Sequence, residues 1–231
     1  MRDAAQPGAE VRRSRRSTAA GAVLLMLCQS SQSLSMGGMA LFLPLVRRDL
    51  GISFTQAGAI GAAATIVYAC MQIPSGLLAD RFGARRLFLV GLAGTNVAVL
   101  GFSLIHSYWL ALANQAASGF FRALLFAPGL VLISSLFSPR RRATALGLYV
   151  AGGFSSNIFL NALGPFLVLP LGWRLLFQLF AALGLLLVIV YWRVGARGPA
   201  GSAGGRPLGD LLGLFRIRAM WLVAAIQYVR L

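Results

Sequence analysis

Arg122 carries the strongest chemical signal in this 231-residue chain. It lies about halfway through the apolar stretch from Tyr108 to Ser138, too far from either end for its side chain to reach water easily. A guanidinium at that depth in hydrocarbon costs on the order of 2.5–3.5 kcal/mol, so it requires a wet cavity or a counter-charge. Gln115, Ser118 and Arg122 recur at i, i+3 and i+7, which places them on one helix face. A planar, permanently charged fork suits an anionic group. The alternative is an Arg satisfied by backbone carbonyls or by an acid elsewhere in a longer chain. Three further polar sets sit inside apolar runs. Gln29 and Ser33 share a face, with Gln32 beside it. Gly153, Asn157, Asn161 and Gly164 recur at a spacing of about four. Tyr68 and Gln72 pair at i, i+4. For Gln29, Gln32, Asn157 and Asn161, cavity lining competes with helix packing, in which small residues allow close approach and amides bond across helices. Gln72 also fits a cytoplasmic gate, and Asn96 fits a packing contact.

The elements that must position these residues are membrane spans. Hydrophobic residues make up 58% and charged residues 11% of the chain, and mean hydropathy is +0.78; a soluble domain carries about 25% charged residues. A span needs about 20 apolar residues. Six runs qualify, near residues 19–46, 54–79, 87–106, 108–138, 143–171 and 174–193. Helix 1 is expected to end near Pro44, and Ser53-x-x-Gln56 to cap helix 2. A seventh apolar run opens near Ala219 and is cut off at Leu231, so the sequence is expected to be the front part of a longer chain.

The net charge of +16 would suggest nucleic acid in a soluble protein, but its distribution points to a membrane. Every basic residue is Arg. They cluster in the N-terminal tail, after helix 2 (Arg81, Arg85, Arg86), after helix 4 (Arg140, Arg141, Arg142) and after helix 6, whereas Arg47, Arg48 and Arg174 are those in the alternate loops. The positive-inside rule then puts the N-terminus and the even-to-odd loops in the cytoplasm. The apolar run after the tail is too long for a signal peptide and is expected to be a retained helix. The all-Arg, Ala- and Gly-rich composition suggests a bacterial genome, hence an inner-membrane location. No Asp or Glu falls in the six runs: Asp3, Glu10, Asp49, Asp80 and Asp210 lie in tails or loops. A titrating group for proton coupling is therefore expected at Asp49 or beyond Leu231. No Walker loop, metal cluster or nucleophile–base motif is present, so neither an enzyme nor an ATP-driven pump is indicated, and no cofactor or metal is expected.

The stretch Gly76-Leu77-Leu78-Ala79-Asp80-Arg81-Phe82-Gly83-Ala84-Arg85-Arg86 resembles the helix 2–3 loop of the major facilitator superfamily, G-x-L-A-D-R-x-G-R-R/K. Ala84 stands at one basic position, with Arg85 and Arg86 supplying the charge. Arg142-Ala143-Thr144-Ala145-Leu146-Gly147 resembles that family's helix 5 opening, R-[AG]-x-A-x-G. The turn Gly172-Trp173-Arg174 and the linker GARGPAGSAGGRP resemble its helix 6 entry and central loop. Two patterns are altered. Gln115 stands where an R-x-x-Q-G motif has its Arg, and of the antiporter signature G-x-x-x-G-P-x-x-G-G only Gly164-Pro165 keeps its place.

The resemblance implies an all-α membrane protein: a six-helix transmembrane bundle of two inverted three-helix repeats, half of a twelve-helix fold, with the substrate site near the midplane. It divides the chain into a cytoplasmic basic tail (1–18, expected to be disordered), the bundle (19–193), a cytoplasmic central loop (194–218) and the start of helix 7 (219–231). It implies a secondary transporter working by alternating access, with a small-molecule substrate, the lipid bilayer and a second six-helix half as partners, and no nucleic acid. Arg122 makes an anionic organic solute the expected cargo. A multidrug exporter and a non-transporting sensor or scaffold are the alternatives. Substrate contacts are expected from Arg122, Gln29, Gln32, Asn157, Asn161, Gln115 and Tyr68. By resemblance, gating falls to Gly76, Asp80, Arg81, Gly83, Arg85, Arg86 and Arg142, with Asp80 and its basic neighbours latching onto the opposing half.

Overall fold

A computed structural model describes residues 7–195, with side chains from Thr18 onward. The described residues are helical almost throughout, with short connections. Helix α1 is Pro7–Leu50, α2 is Phe54–Phe82, α3 is Ala84–Ser103 and α4 is Tyr108–Ser135; a short 3-10 turn at Pro139–Arg141 leads into the helix Arg142–Val194. That last helix is broken at Gly172, where φ is 72° and ψ is 158°. It is two passes, α5 (residues 142–171) and α6 (residues 173–194). The left-handed φ is a conformation that side chains resist and glycine tolerates, so Gly172 is where the chain reverses. Gly83, with φ of 88°, does the same in the one-residue link between α2 and α3. The Ser53–Gln56 capping box forms as expected.

Two expectations about α1 change. The helix continues through Pro44 to Leu50, so the run does not end at that proline. It also starts at Pro7, within the expected basic tail, where Ala, Glu and Arg are good helix formers. Among the described residues the helices from α2 onward are long and apolar enough to cross a membrane, the last of them at double length. Helix α1 is not in that set, because Gln29-Ser30-Ser31-Gln32-Ser33 interrupts its apolar run. The bundle shelters that polar run instead: Gln29, Ser31, Gln32 and Ser33 are all buried. The expected central loop and helix 7 lie, from residue 196, outside the described residues.

The packing follows an inverted three-plus-three pattern. Helix α1 packs on α5, and α4 packs on α2. Helix α3 lies on α4 so closely that a Cβ at Gly91 would come within 2.6 Å of the Leu125 nitrogen. Correspondingly, α6 lies on α1, where Phe42 and Phe177 meet edge to face at 6.3 Å between ring centres. Helices α3 and α6 join the halves through Phe88–Tyr191 and Phe102–Trp173. Polar ties close both ends. Arg174 reaches Asp49 at 2.8 Å and donates to the Ser103 carbonyl at 2.7 Å, linking neighbouring ends of α6, α1 and α3. At the other end Arg85 donates to the Trp192 carbonyl at 2.7 Å, where the last carbonyls of α6 favour a cation.

Candidate functional site

A cavity of about 270 Å³ opens among α1, α2, α3, α4 and α6. Its polar lining is Gln32 and Ser35 from α1, Thr65 from α2, Thr95 from α3, and Gln115, Ser118 and Arg122 from α4. The α4 stripe read from the sequence thus faces one space. Close backbone approach positions it. Gly119 lies against the Ala64 backbone of α2, where a Cβ would collide with the Ala64 carbonyl oxygen, and this turns Gln115, Ser118 and Arg122 toward the cavity.

Arg122 lies midway along the 28-residue α4 and is 9% exposed. Its Nη2 donates to Met36 Sδ at 2.8 Å, and its Cζ is 4.9 Å from the centre of the Tyr68 ring. A thioether is a weak acceptor, and a ring face attracts a cation without neutralising it. Arg122 Nε is buried with no hydrogen-bond partner. Among the residues whose side chains are described, the carboxylates are Asp49 and Asp80, at helix ends, so none of these faces Arg122 as a counter-charge. Thr95 Oγ1, on the same cavity, is likewise buried and unpartnered.

The other expected substrate residues separate into groups. Gln32 and Gln115 line the cavity with Arg122, and Tyr68 touches it through Arg122. Gln29 is one residue removed: its Nε2 donates to Gln32 Oε1 at 3.0 Å, and its Oε1 accepts from the Tyr149 hydroxyl at 3.0 Å. Asn157 lies on the α1–α5 seam against Gly37, with Oδ1 unpartnered. Asn161 is exposed and donates to the Asn157 carbonyl of its own helix at 2.7 Å. Asn96, expected in packing, is fully buried, donates to the Leu92 carbonyl and accepts from Ser31. Sequence reasoning passed over Tyr149, Thr95, Ser35 and Met36. The signal for Tyr149 was available, because a tyrosine inside an apolar span needs a partner for its hydroxyl.

The expected gate residues gather at the opposite end from Asp49 and Arg174. Asp80, Arg81, Arg86 and Arg142 are exposed. Asp80 makes no ion pair among the described residues. Arg81 lies over the Phe82 ring at 5.5 Å, and Arg142 bonds the Phe137 carbonyl at 3.4 Å. Open space surrounds the Gly76 α-carbon, whereas Gly83 is buried in its turn. Arg85 is committed within the bundle to Trp192. Among the described residues no cluster of His, Cys, Asp or Glu is arranged to hold a metal.

Known proteins resemble this chain in sequence and fold. A D-galactonate transporter of Escherichia coli O6:H1 is 26% identical over 149 residues, covering 64% of this chain and 35% of that protein. A puromycin resistance protein of Streptomyces alboniger is 34% identical over 173 residues, covering 73% and 34%. The chain therefore spans about a third of the length of these relatives. Among solved structures, an inward-facing bacterial homologue of the human lysosomal transporter Spinster superposes with a TM-score of 0.67 at 20% identity, covering 80% of this chain and 44% of that one. The Major Facilitator Superfamily model matches residues 25–229. With its helical passes and a family match over most of its length, the chain belongs to the Major Facilitator Superfamily, a family of membrane transporters rather than enzymes.

Proposed function

We propose that this chain forms the N-terminal half of a secondary transporter in a bacterial inner membrane, with its N-terminus in the cytoplasm, and that it carries a small organic anion by alternating access. One observation carries the reading: Arg122 is buried on the cavity wall with Nε unpartnered and no carboxylate facing it. A guanidinium so placed binds a carboxylate or similar oxyanion through charge-assisted, two-pronged hydrogen bonds. The likeness to a galactonate transporter agrees, since a sugar acid pairs an anionic end with hydroxyls that Gln32, Ser35, Gln115 and Ser118 can bond. The likeness to a puromycin resistance protein supports drug export as the second reading.

The test is uptake by the full-length protein in proteoliposomes, with galactonate, nitrate and acetate as anionic probes and ethidium as a cationic one. Removing one member of a buried, hydrogen-bonded charge pair costs about 2–5 kcal/mol. Arg122→Ala is therefore expected to lower anion uptake at least about 30-fold, with Arg122→Lys also impaired because a point charge replaces the fork. Unchanged uptake in both variants sinks the proposal. Ethidium flux without anion uptake favours the exporter, and no flux of any probe favours a sensor or scaffold.

Gating is proposed for Asp80, Arg81 and Arg86. These charges are exposed at the end of the bundle that this reading puts in the cytoplasm, where a carboxylate can meet the positive N-terminus of a facing helix in the second half. Asp80→Asn is expected to reduce maximal flux far more than apparent affinity; normal flux counts against it.

A further inference from the structure

A hydrogen-bond chain runs from the α5 side of the bundle to the cavity wall. Tyr149 is 0% exposed, Gln29 2% and Gln32 4%. The Tyr149 hydroxyl lies 3.0 Å from Gln29 Oε1, and Gln29 Nε2 lies 3.0 Å from Gln32 Oε1. Gln32 lines the cavity, and the other two stand behind it. Two glycines leave room for the chain. A Cβ on Gly129 would collide with the Tyr149 hydroxyl oxygen, and a Cβ on Gly153 would collide with Gln29 Cγ.

The direction of the chain follows from hydrogen-bond satisfaction. Leaving a buried hydroxyl without an acceptor costs about 1–3 kcal/mol, and Gln29 Oε1 is the acceptor that Tyr149 meets. Gln29 must then turn its oxygen toward Tyr149 and its NH2 toward Gln32. Gln32 must answer with its oxygen. Its own NH2, a nitrogen with two donors, is left for the cavity. Reversing either amide sets donor against donor or orphans the tyrosine.

We infer that Tyr149 and Gln29 are positioning residues that hold the Gln32 amide with its NH2 toward the cavity, so that Gln32 acts with Arg122 in favouring an anionic group over a neutral one that brings its own donors. This rests on reading the cavity as an anion site. The wall facing the ligand is then donor-rich by construction, and the selecting power of Gln32 is set from a helix that the ligand does not touch.

The test uses the full-length protein in proteoliposomes, with galactonate as substrate and its neutral amide, galactonamide, as competitor. Two variants loosen the chain without orphaning a hydroxyl: Tyr149→Phe, and the pair Tyr149→Phe with Gln29→Met. Each is expected to raise the galactonate KM about 3- to 10-fold, the size of one net hydrogen bond. Maximal flux should be unchanged, and inhibition by galactonamide unchanged or stronger. No change in the galactonate-to-galactonamide preference, or an equal loss for both, overturns the inference. Arg122→Gln separates the levels. If it abolishes galactonate uptake while both Tyr149 variants keep the preference, the positioning role alone falls. If Arg122→Gln leaves uptake intact, or the unmodified protein moves none of galactonate, nitrate and acetate, the anion reading falls and this inference with it.

Discussion

The α2–α4 and α1–α5 seams hold corresponding places in the two three-helix halves, yet they close by different means. On α2–α4 the contact is backbone against backbone, with Gly119 on Ala64. On α1–α5 it is made through side chains. Gly37 faces Asn157, Gly153 faces Gln29, Ser30 donates to the Gly152 carbonyl at 2.8 Å, and Ser156 donates to the Ser30 carbonyl at 2.9 Å. The polar run of α1 is thus mostly engaged in holding helices together, with Gln32 and Ser35 left at the cavity. The polar stripe of α4 makes no hydrogen bond across its seam, where Arg122 only lies over the Tyr68 ring, and Arg122 Nε stays unpartnered. Buried polar residues in a membrane bundle therefore fall into two populations. Their partners, more than their depth, separate structure from site.

The largest way to break this comparison is Gly119→Leu. Overpacking a tight contact costs about 1–3 kcal/mol, occasionally more, and here the obstacle is backbone that cannot rotate away. A marked drop in melting temperature of the detergent-solubilised full-length protein is expected; an unshifted melt would mean that the α2–α4 seam is looser than described. Next in size is Gln29→Leu, which orphans the Tyr149 hydroxyl and is expected to cost about 1–3 kcal/mol of stability. Its counterpart Gln115→Leu, on the cavity with no partner to orphan, should leave the melt almost unchanged while weakening anion uptake. If the two glutamines behave alike, the division into seam and site is wrong. Smaller again is Ser156→Ala, which removes one interhelical hydrogen bond worth about 0.6 kcal/mol in membranes. The smallest effect is expected for Asn161→Ala. It is exposed and bonded within its own helix, so the melt should shift by no more than about 0.5 kcal/mol; loss of transport there would place Asn161 in contact with cargo or with the opposing half.

Much of the fold was legible because its signals are local. Ser53 and Gln56 cap α2, Gly83 and Gly172 take left-handed turns, and long apolar runs become helices wherever the surrounding chain allows. The α4 stripe was legible because i, i+3, i+7 keeps to one face over two turns. The α5 stripe spreads over more than one face for the same geometric reason. At 3.6 residues per turn, a residue eight positions on is rotated by about 80°. Gly153, Leu160 and Gly164 therefore point into the bundle, Asn157 lies at its margin, and Asn161 faces outward. The contact of Arg85 was not legible: a basic residue in a gate-like loop gives no sign that the end of α6 lies within reach.

Sequence alone determined that the chain is a multi-pass helical protein, where its turns fall, which end bears the excess of arginine, and that Arg122 is costly enough to require an explanation. Those properties are set by composition and by short-range backbone sterics. Only the tertiary structure decided which polar residues are already satisfied by a neighbouring helix. It gave Gln29 to Tyr149 and Arg85 to Trp192, while Asn157 Oδ1 on the α1–α5 seam and Arg122 Nε on the cavity wall stay without a hydrogen bond. Partnership inside a bilayer depends on which helices approach closely and at what rotation, and no spacing within one helix encodes that.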